Sequence, residues 1–223
     1  MSLLGATRGF SRGLYQKRTY GGYLMNIDMN VVNKLRRDLE EVSKKIFVRG
    51  LTSGASGNPS ARVPGYPNQV LIKASGKCFG DVCGNDFVLV DLDGNVLDGD
   101  ARPSKEVKFH CGIYKVRPEV NAIVHGHSPY ATAYATAKGE MPIVTAAAEA
   151  GLHKVGIVGF ALPGSDELAK MVIKPFEEDK TLKAVILDKH GFVTLGDDIY
   201  KAYYLGDVLE DNAKTASIMA SFK

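Results

Sequence analysis

Tryptophan is absent from the 223-residue chain, and cysteine occurs only as Cys78, Cys83 and Cys111. An odd set of cysteines without a C-x-x-C pair indicates neither a disulfide framework nor a structural zinc knuckle, so the thiols read as free. No apolar run approaches the roughly 18 residues that span a bilayer, and there is no secretory hydrophobic segment, so a soluble, cytoplasmic protein with no membrane partner is expected. The glycine signatures of nucleotide sites are missing too. Neither G-x-G-x-x-G nor G-x-x-x-x-G-K-[ST] occurs, and Gly54-Ala55-Ser56-Gly57 misses the serine-hydrolase elbow by one position. Acid is lacking from residues 1–27, which carry Arg8, Arg12, Lys17 and Arg18. From Asp28 onward 24 basic residues meet 25 acidic ones, so the whole net charge of +3 lies in that arm. A neutral body lacks the clustered cations that a phosphate backbone demands, which argues against a nucleic-acid partner. The arm reads as a flexible extension, as sequence upstream of a later start, or as an Arg-rich, acid-poor organellar leader.

What is present describes one globular domain, residues 28–223. A chain of this length buries roughly 70% of its unfolded surface without staples. Val31, Leu35, Leu39, Val42 and Ile46 recur at helical spacing, with Gly50 beyond the end. Residues 51–60 are nearly all small or turn-forming and read as a loop, Val70-Leu71-Ile72 as a strand, and Ser75-Gly76 as a second small-residue turn. Phe87 to Leu97 reads as a hairpin closed at Asp93-Gly94. A helix is expected from Pro103 or Ser104 to Arg117, followed by a strand over Val120–His127. Ser128-Pro129 opens a further helix with Tyr130, Ala133, Tyr134 and Ala137 inward. Another helix starts near Ser165 and breaks by Pro175, a strand covers Ala184–Leu187, and a last helix runs from about Asp197 to Phe222, with Ala220 among its core positions. Interleaved strands and helices without a repeat give an α/β class.

Chemistry concentrates at strand ends. In Ile123-Val124-His125-Gly126-His127 the two-residue period puts both imidazoles on one face, and His190-Gly191 and Glu106 sit at other element ends. Three imidazoles plus a carboxylate suit a divalent ion of the zinc type. The same residues also read as a half-buried, hydrogen-bonded histidine pair. His110 and His153, the other two of five histidines, look like surface or supporting residues. Runs such as Ser53-Gly54-Ala55-Ser56-Gly57-Asn58 and Ala74-Ser75-Gly76-Lys77 offer consecutive N–H groups to an anion, or are simply tight turns.

Taken together, Ser56-Gly57-Asn58-Pro59-Ser60, Ile72-Lys73-Ala74-Ser75-Gly76, Pro103-Ser104-Lys105-Glu106, Arg117-Pro118, Ala122-Ile123-Val124-His125-Gly126-His127-Ser128, Pro163-Gly164-Ser165-Asp166-Glu167-Leu168 and Lys189-His190-Gly191 resemble the class II aldolase and adducin-head family over residues 30–220. The resemblance implies a three-layer α/β/α fold around a mostly antiparallel sheet, in a homotetramer with active sites at subunit interfaces. It implies zinc, or another divalent transition metal, on His125, His127, His190 and Glu106. Glu106 would double as acid/base, and Asn58, Ser75, Gly76 and Ser104 would bind the substrate phosphate. A zinc-dependent lyase is expected, cleaving a phosphorylated ketose to dihydroxyacetone phosphate and an aldehyde through a stabilised enediolate. Two departures leave alternatives. Lys105 stands where the aldolases carry a hydroxyl residue, and it suits a carboxylate substrate, hence a decarboxylase of a small keto or hydroxy acid. In the segment that supplies the aldolase tyrosine or the epimerase aspartate, Thr145–Gly151, Glu149 is the sole ionisable residue and stands as second acid/base or as a surface glutamate. A 4-epimerase is weakened by that lack of aspartate, and an adducin-like interaction domain by retention of all four metal-site residues.

Overall fold

The computed structural model describes residues 27–222 and, in backbone alone, a ribbon of Thr19–Tyr20 (β1) against Tyr23–Leu24 (β2). The readings of the basic arm otherwise lie outside the described residues. Helix α1 (Met29–Val48) starts at Asp28, whose carboxylate accepts from the Asn30 amide at 2.9 Å, and stops at Gly50, φ 73°. It buries Leu39, Val42 and Ile46 as the periodicity requires, but Val31 and Leu35 of that stripe are only half-buried and Val32 is fully buried instead.

Strands β3 (Asn58–Val63), β4 (Tyr66–Lys73), β5 (Phe87–Asp91) and β6 (Val96–Asp98) follow, then helix α2 (Val107–Val116), β7 (Ala122–Gly126), helices α3 (Pro129–Lys138) and α4 (Ala146–Gly151), β8 (Gly156–Val158), helix α5 (Asp166–Glu178), β9 (Ala184–Leu187), β10 (Gly191–Gly196) and helix α6 (Ile199–Met219). Eight strands form one sheet in the order β6-β5-β4-β3-β7-β10-β9-β8, antiparallel except for β8 beside β9. Alternation along each strand feeds two cores. Leu71, Val124, Ile186 and Phe192 face α1, α3, α4 and α6; Val70, Ile72, Ile123, Val185 and Val193 face α2 and α5. Helices on both faces of a mostly antiparallel sheet make the α/β/α sandwich.

Several local expectations are corrected. The small-residue loop ends at Gly57; Asn58–Val63 is a fully buried central strand despite Pro59, a residue normally confined to sheet edges. Helix α2 begins only at Val107, because Pro103 forms a β-bridge with Ala74. Pro175 does not end α5, which continues to Glu178 with Val172 and Phe176 packed beneath it. Helix α3 turns Ala131 and Ala135 inward instead of Tyr130, Ala133 and Ala137, with Tyr134 half-buried, and Glu210 of α6 caps its first amides, accepting from Tyr130 N at 2.9 Å and Ala131 N at 2.8 Å. Ala220 is exposed. The Asp93-Gly94 turn is wider than a two-residue hairpin, pairing Val90 with Val96, and Asp91 Oδ1 accepts from the Asp93 and Asn95 amides.

Lys73 at the end of β4 is only 1% exposed, and its ammonium donates to the carbonyls of Lys77 and Ala74 while lying 5.1 Å from the Phe79 ring centroid. Turning those carbonyls inward fixes the Ser75-Gly76 loop. Burial pushes the Lys73 pKa down from 10.5 to about 8. The sign follows: between pH 8 and 10.5 the unfolded chain holds a proton that the folded chain has released, so stability rises with pH across that window. In metal-free protein, the urea-derived stability of the wild type minus that of Lys73→Met is expected to rise from pH 8 to 10.5 on the order of 3 kcal/mol. A difference flat with pH would mean that the ammonium is hydrated.

Candidate metal centre and anion loops

Strand register assembles the centre. Asn58 on β3 and Val193 on β10 both lie opposite His125 on β7, so three central strands end side by side. His190 stands one residue before β10, in a turn that Lys189 makes possible with a φ of 55°. His125 is fully buried, and its Nδ1–H donates to the Phe192 carbonyl at 2.8 Å, which leaves the Nε2 lone pair facing outward. His125 Nε2 lies 3.0 Å from His127 Nε2, and all three ring pairs among His125, His127 and His190 have centroids 4.7 to 4.9 Å apart. Burial, with His125 and His190 alongside, pushes His127 down to about 3, and burial also lowers His125. Both imidazoles are therefore neutral near pH 7, with His125 Nε2 as an acceptor and His127 Nε2 facing it at 3.0 Å.

Glu106, just ahead of α2, is 7% exposed, with Oε2 3.3 Å from His125 Nε2 and Oε1 3.2 Å from His190 Nε2. Burial opposes its charge, but His125, His190 and the Asn58 amide outweigh burial and hold the carboxyl well below the ordinary range. Donor atoms of His125, His127 and His190 all lie within 4.8 Å of one another. Ligands of one tetrahedral zinc-type ion, at 2.0–2.1 Å each, stand roughly 3.3 Å apart. The Glu106 separations of 3.2 and 3.3 Å, the lone pair on His125 Nε2 and the neutral imidazoles thus fit a divalent cation with nitrogen and oxygen ligands.

The two small-residue loops meet beside this cluster. The β-bridge between Ala74 and Pro103 is extended by Ser75 N–H to the Arg102 carbonyl at 2.9 Å and Ser104 N–H to the Lys73 carbonyl at 3.1 Å. Ser75, Gly76, Ser104 and Lys105 are thereby neighbours, with Ser104 buried and Lys105 exposed. Asn58 Nδ2 links them to the centre, donating to Ser104 Oγ at 2.9 Å and Glu106 Oε2 at 2.7 Å. Glu149 is the one residue not brought in: it lies exposed on α4, paired only loosely with His153 at 3.9 Å. Of the two readings of His110, surface or supporting, the structure rules out the first and fits the second. It is fully buried, bonded to Asn58 and Ser60, and stacked on Phe109. Its place four residues after Glu106, one helical turn on the same face, is the signal that could have found it.

A family model, the class II aldolase and adducin N-terminal domain, matches residues 37–217. The chain belongs to the class II aldolase and adducin family. An L-fuculose phosphate aldolase of Methanococcus vannielii is 36% identical over 188 residues, covering 83% of this chain and 98% of that protein. A 3-oxo-tetronate 4-phosphate decarboxylase of Haemophilus influenzae is 33% identical over 179 residues, covering 78% and 82%. Among solved structures, an L-fuculose 1-phosphate aldolase superposes with a TM-score of 0.78 at 28% identity, covering 85% of this chain and 87% of that one. As a class II aldolase-type protein with a His triad able to hold a metal, the chain is a metal-dependent lyase. No described helix is long and apolar enough to cross a membrane.

Proposed function

We propose that the protein is a zinc-dependent aldolase that cleaves a small phosphorylated ketose to dihydroxyacetone phosphate and an aldehyde. The observation that carries this reading is Glu106, a buried carboxylate touching two imidazoles of the cluster while Asn58 ties it to Ser104 in the adjoining anion loops. His125, His127, His190 and Glu106 would hold the ion, which when bound acts as a Lewis acid on the substrate's oxygens. The rest falls to the chain's own groups. Ser75, Gly76 and Ser104 bind the phosphate, and Lys105 at their rim adds a cation. Glu106 is placed to take a proton from the substrate and return it to the carbon left electron-rich after cleavage. Glu149, exposed on α4, serves as second acid/base across an interface in a homotetramer. The enzyme works in the cytoplasm.

A second reading has its own support: Lys105 beside the anion loops suits a carboxylate, and a decarboxylase is among the relatives. One experiment separates them. Zinc-loaded protein is given a panel of ketose 1-phosphates and, separately, a 3-oxo-acid 4-phosphate; dihydroxyacetone phosphate, aldehyde and carbon dioxide are measured in each. Release of dihydroxyacetone phosphate together with an aldehyde from a ketose 1-phosphate is expected. Carbon dioxide without aldehyde would replace the first reading by the second, and full activity after metal removal would sink both.

A further inference from the structure

Behind Glu106 runs a chain of buried polar groups that take no part in the proposed proton transfer: Asn58, His110, Ser60 and Tyr114. Asn58 Oδ1 lies 2.5 Å from His110 Nε2, His110 Nδ1 lies 2.7 Å from Ser60 Oγ, and Ser60 Oγ lies 2.9 Å from the Tyr114 hydroxyl. Asn58 is 3% exposed, Tyr114 1%, and Ser60 and His110 not at all, so these groups must satisfy one another. The direction of every bond follows from the charged end. An ionised carboxylate only accepts, so Asn58 must present its NH₂ to Glu106. Its carbonyl oxygen then faces His110, which must be protonated on Nε2. That leaves Nδ1 as acceptor, so Ser60 donates to His110, and Tyr114 donates to Ser60. A reversal at any link would set two acceptors or two donors against each other in a dry interior.

The polarity reaches a second site residue. Ser104 Oγ accepts from Asn58 Nδ2 and also, at 3.2 Å, from the Glu106 amide. With both lone pairs taken, its hydroxyl hydrogen has to point elsewhere and is left free to donate. We infer that His110 is a positioning residue: by fixing the amide orientation of Asn58, it holds the Glu106 carboxylate toward the metal and leaves the Ser104 hydroxyl as a donor for the substrate anion. Were Asn58 to flip, its carbonyl oxygen would oppose the carboxylate, and the Ser104 hydroxyl would turn back to donate to Asn58. The inference rests on the metal reading above.

The test compares His110→Phe, which keeps an aromatic ring but no donor, with His110→Gln, which restores an N–H near the position of Nε2 and an oxygen that accepts. Zinc affinity is measured by chelator competition, turnover with the substrate established for the wild type, and folding by circular dichroism. Loss of a partner that orients a metal ligand costs 10–100-fold. His110→Phe should therefore bind zinc roughly 10-fold more weakly and lose roughly 100-fold in kcat/KM, with most of both losses recovered in His110→Gln. Folded His110→Phe with wild-type zinc affinity overturns the inference, and so does His110→Gln no better than His110→Phe, because packing alone would then explain the loss. If His110→Phe does not fold, Ser60→Ala decides. It removes the donor that sets the His110 tautomer, and a zinc affinity unchanged from wild type overturns the inference. A wild-type chain that holds no zinc would sink the metal reading itself, whereas normal wild-type binding with unaffected variants sinks the relay alone.

Discussion

Glu106→Gln is expected to lower turnover about 10³-fold, within the 10²–10⁴ range that a positioned acid/base contributes. The substitution keeps the shape of the side chain, and its oxygen still accepts from Asn58, whose Nδ2 lies 2.7 Å from the native carboxylate. What disappears is the charge. Glu106 faces His125 and His190 at 3.3 and 3.2 Å, so the variant also weakens metal binding, and loss of activity alone would not separate the two roles. Saturating zinc separates them. If Glu106 only ligates, enough zinc restores the rate; if it also moves the proton, the zinc-saturated variant stays at least 10² below wild type. We expect the second outcome, read from metal content and single-turnover rate on the same sample. Full recovery at saturating zinc would remove Glu106 from the chemistry and leave it a ligand.

How much of the fold and the site is legible in the sequence depends on how local the cause is. The H-x-H pair is readable because a two-residue period alone puts His125 and His127 on one face of β7. Glu106 and His190 are readable at element ends. Their convergence is not, because it needs the pairings of β3 and β10 with β7, and both of those strands are hidden. Asn58–Val63 opens with Asn-Pro-Ser, turn residues by any local rule, yet it is held as a strand by pairing on both sides with β4 and β7. Gly191–Gly196 is masked by the glycines that bound it and by a turn with a non-glycine residue, Lys189, at φ 55°. His110 escapes for a related reason. A histidine inside an amphipathic helix is usually at the surface, and only the tertiary placement of Asn58 and Ser60 gives it partners on both ring nitrogens. Lys73 carries a readable signal, as a cation closing the buried run Val70-Leu71-Ile72, but its partners lie in the loop it shapes.

Gly191→Ala is the structural counterpart, and its expected effect is as large. A Cβ at this position would lie 2.1 Å from the Gly126 carbonyl oxygen and 3.2 Å from His127 Cα, neither of which belongs to a flexible side chain. Space can be made only by moving β10 away from β7. That movement lifts the Phe192 carbonyl from His125 Nδ1, a bond now at 2.8 Å, and shifts His190, the neighbouring residue, out of the cluster. Overpacking of this kind costs about 1–3 kcal/mol, occasionally more, and backbone atoms on both sides favour the upper end. We expect a loss of about 3 kcal/mol in urea unfolding and zinc affinity at least 10-fold weaker, since two of the three imidazoles lose their orientation. Gly139→Ala is the control. Gly139 caps α3 at φ 71° with nothing within 4 Å of where an alanine Cβ would stand, so its cost is backbone strain alone, about 1 kcal/mol, with zinc affinity unchanged. Equal effects of the two alanines on zinc affinity would mean that the close approach of β10 to β7 does not set the centre.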